Sequence, residues 1–140
     1  MRRQVLCPEH GKFFVEAGEQ VVCQACLNPY PPGVLIHGNV TIGKGVEIGA
    51  PADINGKESS IGIGDGCDIA SFVSINCADS HLRCVGLSTE IERKPITIGE
   101  HVFIGQGAII LGGTKIGHHS VIGAGVVIKG ATIPPWSLVR

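Results

Sequence analysis

Apolar residues recur along this chain with a period of six. From Val34 onward isoleucine returns at the same phase, and the position two residues before it is small or β-branched. Glycine often follows the isoleucine directly, as in Gly43, Gly64 and Gly105. The thirteen isoleucines in phase are Ile36, Ile42, Ile48, Ile54, Ile63, Ile69, Ile75, Ile98, Ile104, Ile110, Ile116, Ile122 and Ile128. A period of six does not keep residues on one face of an α-helix, because an α-helix has about 3.6 residues per turn.

The hexad predicts a short β-strand followed by a corner. Its two apolar positions lie two residues apart, so both side chains point to the same face of a strand. Glycine lets the backbone turn after the isoleucine, and Ile and Val suit a pleated wall. Three such strands per turn make a triangular prism with isoleucines stacked along its axis. The predicted fold is therefore all-β, a parallel β-helix of roughly four coils, and a β-sandwich with accidental spacing is the alternative.

Two segments interrupt the period and are predicted to leave the prism at corners. After Ile54 the next isoleucine in phase is delayed to Ile63, so "NGKESS" is predicted to bulge. After Ile75 a longer delay places a loop at residues 76–95. Long loops on a rigid repeat commonly carry function. The stretch "SINCADSHLRC" opens this loop, and its histidine, His81, is the first candidate for chemistry.

Length and composition narrow the functional classes. The chain has 140 residues, a net charge of −1 and 21 glycines, which fits one repeat domain with a small appendage. No basic field favours nucleic acid, no apolar run is long enough to span a membrane, and the N-terminus lacks the apolar segment of a secretory signal. We therefore expect a cytoplasmic protein whose six cysteines are thiols or metal ligands rather than disulfides.

The residues before the repeat carry a metal-ligand pattern. Cys7 and His10 are separated by two residues, as are Cys23 and Cys26. Two such pairs suit tetrahedral Zn²⁺, and the segment resembles a zinc ribbon with a hairpin around "AGE". We predict structural zinc in a module of residues 1–32 that ends in a proline-rich link. A disulfide or free thiols are the alternatives, and a further role in binding a partner stays open.

The predicted β-helix spans residues 33–140. From about Val34 to Leu138 it resembles the hexapeptide-repeat acyltransferases, and among them the galactoside, maltose and related sugar O-acetyltransferases. The resemblance rests on His81 in a loop that ends in "KPITIG", on the run "VFIGQGAIILGGTKIGHHSVIGAGVVIKG" and on "IPPWSLV". It implies a left-handed parallel β-helix, a homotrimer and acetyl-CoA as cosubstrate. It also implies transfer of the acetyl group to a hydroxyl of a sugar or sugar-like acceptor, either a small molecule or a glycan.

Acetyl transfer to an alcohol needs a base for the hydroxyl proton, donors for the oxyanion and a cleft for coenzyme A. The resemblance implies that His81 is the base, and histidine suits this role because its ordinary pKa lies near neutrality. Asp79, Glu90 and Glu92 are candidates for orienting the imidazole. Leu82 stands where the sugar enzymes usually carry proline, a departure that bears on the acceptor.

By the same resemblance, coenzyme A binds along the last coils. The Gly105–Gln106 corner faces the thioester and offers backbone N–H groups, while Lys129 and the final residue, Arg140, suit phosphates. Plain corner glycines and a solvated lysine are the alternatives at these positions. The residues implied in cofactor binding are Phe103, Gly105, Gln106, Gly123, Ala124, Lys129 and Arg140.

Two other functions use a prism of this kind. A γ-type carbonic anhydrase needs three histidines on one metal, and the adjacent His118 and His119 lack the required spacing. A non-catalytic β-helix scaffold is the second alternative. Cys77 and Cys84 flank His81, which leaves a second metal site or a Cys–His catalytic pair as minor possibilities. The histidines outside the loop and the head are expected to be exposed corner residues.

Overall fold

The computed structural model describes residues 3–7, 11–15, 17 and 30–140. The chain divides into two compact units, Met1–Tyr30 and Pro31–Arg140. The second unit begins two positions before the predicted start of the β-helix at residue 33.

The described part of the first unit contains one β-hairpin. Strands β1 (Arg3–Cys7) and β2 (Gly11–Val15) pair antiparallel, with Arg3 opposite Val15 and Cys7 opposite Gly11. The sequence predicts β2 as the start of a hairpin around "AGE" but does not predict its pairing with β1. The returning half of the predicted hairpin lies outside the described residues.

The second unit is built from short strands, as the hexads predict, with one helical turn inside the long loop. Its strands lie in three parallel stacks, the faces of the prism, and a small antiparallel pair belongs to the loop. The elements in chain order are β3 (Val34–Ile42), β4 (Glu47–Ile48), β5 (Ala52–Ile63), β6 (Asp68–Ile69), β7 (Ser74–Asn76), β8 (Ala78–Asp79), α1 (His81–Cys84), β9 (Glu92–Arg93), β10 (Ile96–Ile98), β11 (Phe103–Ile104), β12 (Ile109–Leu111), β13 (Lys115–Ile116), β14 (Val121–Ile122), β15 (Val127–Lys129), β16 (Thr132–Ile133) and β17 (Leu138–Val139).

The long strands β3 and β5 bend across one corner and contribute to two faces. Face 1 contains their first halves with β7, β12 and β15, and face 2 contains their second halves with β10, β13 and β16. Face 3 contains β4, β6, β11, β14 and β17. All of these pairings are parallel, so the predicted parallel β-helix is confirmed.

Parallel pairing places each isoleucine of the hexad opposite the one three hexads away. Each face therefore carries one column of five residues, and the prism has five coils rather than the four that the sequence predicts. The prediction is short by one coil because the spacing falls from six to five between Ile128 and Ile133 while the ladder continues. The columns are Ile36, Ile54, Ile75, Ile110 and Ile128 on face 1, Ile42, Ile63, Ile98, Ile116 and Ile133 on face 2, and Ile48, Ile69, Ile104, Ile122 and Val139 on face 3.

The axis of the prism is dry. Ile54, Ile75 and Ile110 are 0 % exposed, and burial of each such side chain stabilises the fold by roughly 1.5–3 kcal/mol. In the fourth coil two buried side chains carry hydroxyl groups in place of apolar groups, and both hydroxyls are hydrogen-bonded. Thr114 Oγ1 donates to the Leu111 carbonyl and accepts from the Gly130 N–H, while Ser120 Oγ donates to the Pro134 carbonyl.

Both predicted interruptions leave the prism at the corner between faces 1 and 2. The register between β3 and β5 shifts there, so that residues 57–60 lie opposite Asn39 alone. The long loop leaves at the same corner one coil later, after β7, and returns at β10. The excursions lie on adjacent coils, which places the loop beside the bulge.

Close contact between coils at the corners gives a test of the fold. A Cβ at Gly64 would lie 2.7 Å from both the Glu100 nitrogen and the Gly99 carbonyl carbon, whereas a Cβ at Gly62 would meet nothing within 4 Å. We expect Gly64→Ala to lower the free energy of unfolding by about 1–3 kcal/mol, because the contacting atoms are backbone. Gly62→Ala, the matched control, should change it by less than about 0.5 kcal/mol. Urea unfolding of both variants measures this, and equal losses would contradict the stacking.

Candidate active site

The long loop is tied to the prism at its base. β8 and β9 pair antiparallel, with Ala78 opposite Arg93, and the Lys94 N–H donates to the Cys77 carbonyl. Arg93 also reaches the bulge of the previous coil, where its Nε lies 2.8 Å from Glu58 Oε2 and its guanidinium donates to the Lys57 carbonyl. The two interruptions of the hexad pattern therefore brace each other. The sequence predicts each of them but not the contact between them.

His81 is the first residue of α1 and is held by Asp79. The Asp79 Oδ1 atom lies 2.5 Å from His81 Nδ1 and also accepts the His81 backbone N–H at 3.1 Å. An ionised carboxylate only accepts, so Nδ1 carries a hydrogen, and in the neutral imidazole Nε2 is then the acceptor. The His81 side chain is 57 % exposed, so Nε2 is accessible to a substrate. Of the three carboxylates that the sequence offers for this role, the structure selects Asp79.

The other oxygen of Asp79 binds Lys129. Nζ of Lys129 lies 2.5 Å from Asp79 Oδ2, although the residues are 50 positions apart in the chain. The hydrogen bond from Lys129 holds the pKa of Asp79 well below its ordinary value, with smaller contributions from the backbone N–H and imidazole of His81. The same bond raises the pKa of Lys129. Asp79 therefore stays ionised while it orients the histidine.

A pocket of ≈ 200 Å³ lies beneath the loop, beside this ion pair. Asp79 and Lys129 line it together with a second pair, Glu92 and Lys94, whose charged atoms lie 2.7 Å apart. The hydrogen bond from Lys94 lowers the pKa of Glu92. Leu111 also lines the pocket. The wall of the pocket therefore combines an apolar surface with two pairs of opposite charges.

The cysteines that flank His81 in sequence do not join it. Cys77 is 2 % exposed, its Sγ lies 3.4 Å from the Ser60 carbonyl oxygen, and burial raises the pKa of its thiol. A buried thiol with a raised pKa is a poor nucleophile. Cys84 is exposed at the end of α1. Among the residues that the structure describes, no three or more His, Cys, Asp and Glu side chains are grouped for a metal ion.

The residues predicted to bind the cofactor divide between two corners. Gly105 and Gly123 stack at the corner between faces 3 and 1, where a Cβ on Gly105 would lie 2.5 Å from the Ala124 nitrogen and one on Gly123 would lie 3.5 Å from Arg140 Cβ. Phe103 begins β11 on face 3, two residues before Gly105, and is 41 % exposed. Lys129 instead lies at the end of face 1 nearest the loop, on the Asp79 carboxylate.

The backbone at the first of these corners differs in one respect from the prediction. The Gly105 N–H donates to the Ile122 carbonyl at 2.7 Å, so it belongs to the ladder between coils. The Gln106 N–H, the next donor, has no acceptor among the described residues. The turn around it is closed by the Ala108 N–H, which donates to the Gly105 carbonyl at 3.1 Å.

The predicted zinc ligands fall almost entirely outside the described residues. Cys7 ends β1, where only its backbone is described, and His10, Cys23 and Cys26 are not described. The zinc module therefore stays a prediction. In the described part of the chain, no helix has the length and apolar character to cross a bilayer.

Residues 95–130 match the family described as bacterial transferase hexapeptide (six repeats), and no curated protein matches the chain. Among solved structures, the chain is similar to AntD, an N-acyltransferase from Bacillus cereus in complex with dTDP and 3-hydroxybutyryl-CoA, at 24 % identity and a TM-score of 0.65, covering 74 % of this chain and 58 % of that one.

Two further structures are acetyltransferases. The polySia-specific acetyltransferase NeuO is 27 % identical with a TM-score of 0.59, over 69 % of this chain and 45 % of that chain. A hexapeptide-repeat-containing acetyltransferase from Vibrio cholerae is 28 % identical with a TM-score of 0.54, over 76 % of this chain and 67 % of that chain. Residues 95–130, which match the bacterial transferase hexapeptide family, lie within the parallel β-helix.

The Asp79–Lys129 pair predicts a measurable titration. Lys129→Met should raise the pKa of Asp79 towards the ordinary value for aspartate, because the largest contribution that lowers it is removed. Since the folded-state pKa is lowered, the pair stabilises the fold above the ordinary aspartate pKa and loses that contribution as the pH falls through the lowered value. Carboxyl ¹³C NMR measures the shift. Lys115→Met, on face 2, is the control, and an unchanged Asp79 titration in Lys129→Met would contradict the pairing.

Proposed function

We propose that the protein is an acyl-CoA-dependent acyltransferase that moves an acetyl group to a hydroxyl of a sugar or sugar-like acceptor. The observation that carries the proposal is the contact between Asp79 and His81 Nδ1 on a loop of a hexapeptide β-helix. In the neutral imidazole this contact keeps the hydrogen on Nδ1 and leaves the lone pair of Nε2 for a proton, as a general base requires. The acyltransferase descriptions of the similar structures support the class of reaction.

The proposed chemistry needs one proton to move twice. His81 Nε2 accepts the proton of the acceptor hydroxyl as its oxygen attacks the thioester carbonyl, and the imidazolium returns a proton to the sulfur as the carbon–sulfur bond breaks. Asp79 stabilises the imidazolium and fixes its orientation. Lys129 holds Asp79 and is a positioning residue in this scheme, in place of the phosphate contact that the resemblance implies.

Part of the proposed site comes from the corner between faces 3 and 1. We assign the oxyanion donor to the Gln106 N–H, because the Gly105 N–H is engaged by Ile122. Phe103, Gly123, Ala124 and Arg140 remain candidates for contacts with coenzyme A. Within one chain this corner and the His81 loop border opposite edges of face 1. A homotrimer of left-handed prisms, which the resemblance implies, would place the loop of one subunit beside the corner of another.

The acceptor is the least constrained part of the proposal. AntD is described as an N-acyltransferase, so an amino group on a sugar is the second candidate for the acceptor. The same base serves an amine, because the nitrogen of the neutral amine must lose a proton once it has attacked the carbonyl. Which acceptor is used depends on the loop at residues 76–95, and we place the protein in the cytoplasm with acetyl-CoA as donor.

His81→Ala should lower the rate of acetyl transfer by about 10²–10⁴-fold, the usual range for loss of a general base. His37→Ala is a matched control, since His37 lies on the same corner in the first coil and also faces an aspartate, with 3.5 Å between Nε2 and Asp53 Oδ1. Mass spectrometry of the acetylated product follows transfer to a panel of sugars and amino sugars. A thiol-reactive dye is unsuitable for following the release of coenzyme A, because it would also react with the exposed Cys84.

Two outcomes would contradict the assignment. Full transferase activity in His81→Ala would remove the histidine from the mechanism. Absence of coenzyme A binding by calorimetry in the intact protein would remove the acyl-CoA donor and leave the scaffold function as the better account.

The head of the chain is proposed to hold one structural Zn²⁺ through Cys7, His10, Cys23 and Cys26. Cys23→Ser should remove the metal, because a three-ligand remnant binds zinc far less tightly than a closed tetrahedral site. Elemental analysis of the purified protein measures it, with Cys84→Ser as the control. One zinc per chain in both variants would contradict the assignment.

A further inference from the structure

The corner between faces 2 and 3 carries an unusual series of residues. In each coil the same corner position has a left-handed backbone, which favours glycine. The first two coils along the chain have glycine there. The third, fourth and fifth coils place residues with large rings at this position instead. The five residues and their φ values are Gly45 (66°), Gly66 (69°), His101 (52°), His119 (57°) and Trp136 (61°).

The rings form a stack along the edge of the prism. The centroids of His101 and His119 lie 5.0 Å apart, and those of His119 and Trp136 lie 4.4 Å apart with the ring planes inclined by 20°. His118, the neighbour of His119, stands edge-on to both, at 89° to His119 and 85° to Trp136. The ring of His119 therefore lies between those of His101 and Trp136. The ring of His118 packs edge-on against His119 and Trp136.

This packing brings two ring nitrogens together. His118 Nδ1 and His119 Nδ1 are 3.0 Å apart. If both imidazoles are neutral with the proton on Nε2, two lone pairs face each other. A hydrogen on one of the two nitrogens makes the contact an ordinary hydrogen bond. A metal ion that both nitrogens bind would relieve the same repulsion and use both lone pairs.

The separation is compatible with two ligands of one metal ion. With a metal–nitrogen distance of about 2.0–2.1 Å, two ligands at a right angle lie about 2.9 Å apart, whereas tetrahedral ligands lie about 3.3 Å apart. The observed 3.0 Å is nearer the right angle. Imidazole pairs at right angles suit tetragonal or octahedral ions such as Cu²⁺ and Ni²⁺ rather than tetrahedral Zn²⁺.

We propose that His118 and His119 form a two-imidazole site for a divalent ion of this class. Both residues are exposed, so water can fill the remaining coordination positions. The ring stack acts as the supporting shell, because it fixes the orientation of His119 before the metal arrives. The site lies on a different corner from the His81 loop and is independent of the proposed acyl transfer.

The test is a titration of the full-length protein with Ni²⁺, which avoids the reaction of Cu²⁺ with free thiols. Ni²⁺ is paramagnetic, so broadening of the His118 and His119 ring signals in NMR reports binding at this corner and not at the cysteines of the head. His118→Gln and His119→Asn each remove one ligand, and asparagine tolerates the left-handed backbone at position 119. His37→Gln, an exposed histidine on another corner, is the control.

We expect saturable broadening of these two rings, with at least tenfold weaker Ni²⁺ affinity in each ligand variant and unchanged affinity in His37→Gln. Metal-free spectra of the variants that superimpose on the parent spectrum show that the fold is retained. Absence of broadening at millimolar Ni²⁺ would overturn the proposal. Wild-type affinity in a folded His118→Gln or His119→Asn variant would overturn it as well.

Discussion

Each coil of the β-helix can place only three isoleucines on its axis, and the parallel ladders hold each one opposite the isoleucine of the coil before it. A one-residue slip would turn every isoleucine outward, so the register is strongly fixed. Extra residues can therefore be inserted only at corners, where the backbone already leaves the strand. The site of the loop and the chemistry built on it both follow from this constraint.

The loop acquires its structure from its neighbours rather than from itself. Its helix is a single turn without buried residues, and its two strands contain two residues each. Arg93 fixes it to the bulge of the coil before, and Asp79 fixes it to Lys129 of the last coil. The loop is thus held by coils on both sides of its own, which is why a histidine in an exposed segment has a defined orientation.

The sequence was sufficient to predict the strand phase, the faces and both corner excursions, because each follows from the hexad spacing alone. It was not sufficient to count the coils, since Ile133 and Val139 depart from the phase yet continue the ladder. Nor did it select Asp79 over Glu90 and Glu92, because that choice depends on how the loop folds. The Lys129 contact and the stacked corner rings were missed because both join residues of different coils, and their pairing appears only once the coils are in register.

The proposed reaction requires that His81, held by Asp79, faces the reacting thioester. A crystal structure of the protein in complex with coenzyme A, in its oligomeric form in solution, is the measurement that tests this. We expect the sulfur atom within about 3–4 Å of His81 Nε2, with the Asp79 contact retained and the Gln106 N–H directed towards the same point from a neighbouring subunit. Coenzyme A bound away from the loop, with His81 facing only solvent, would contradict it.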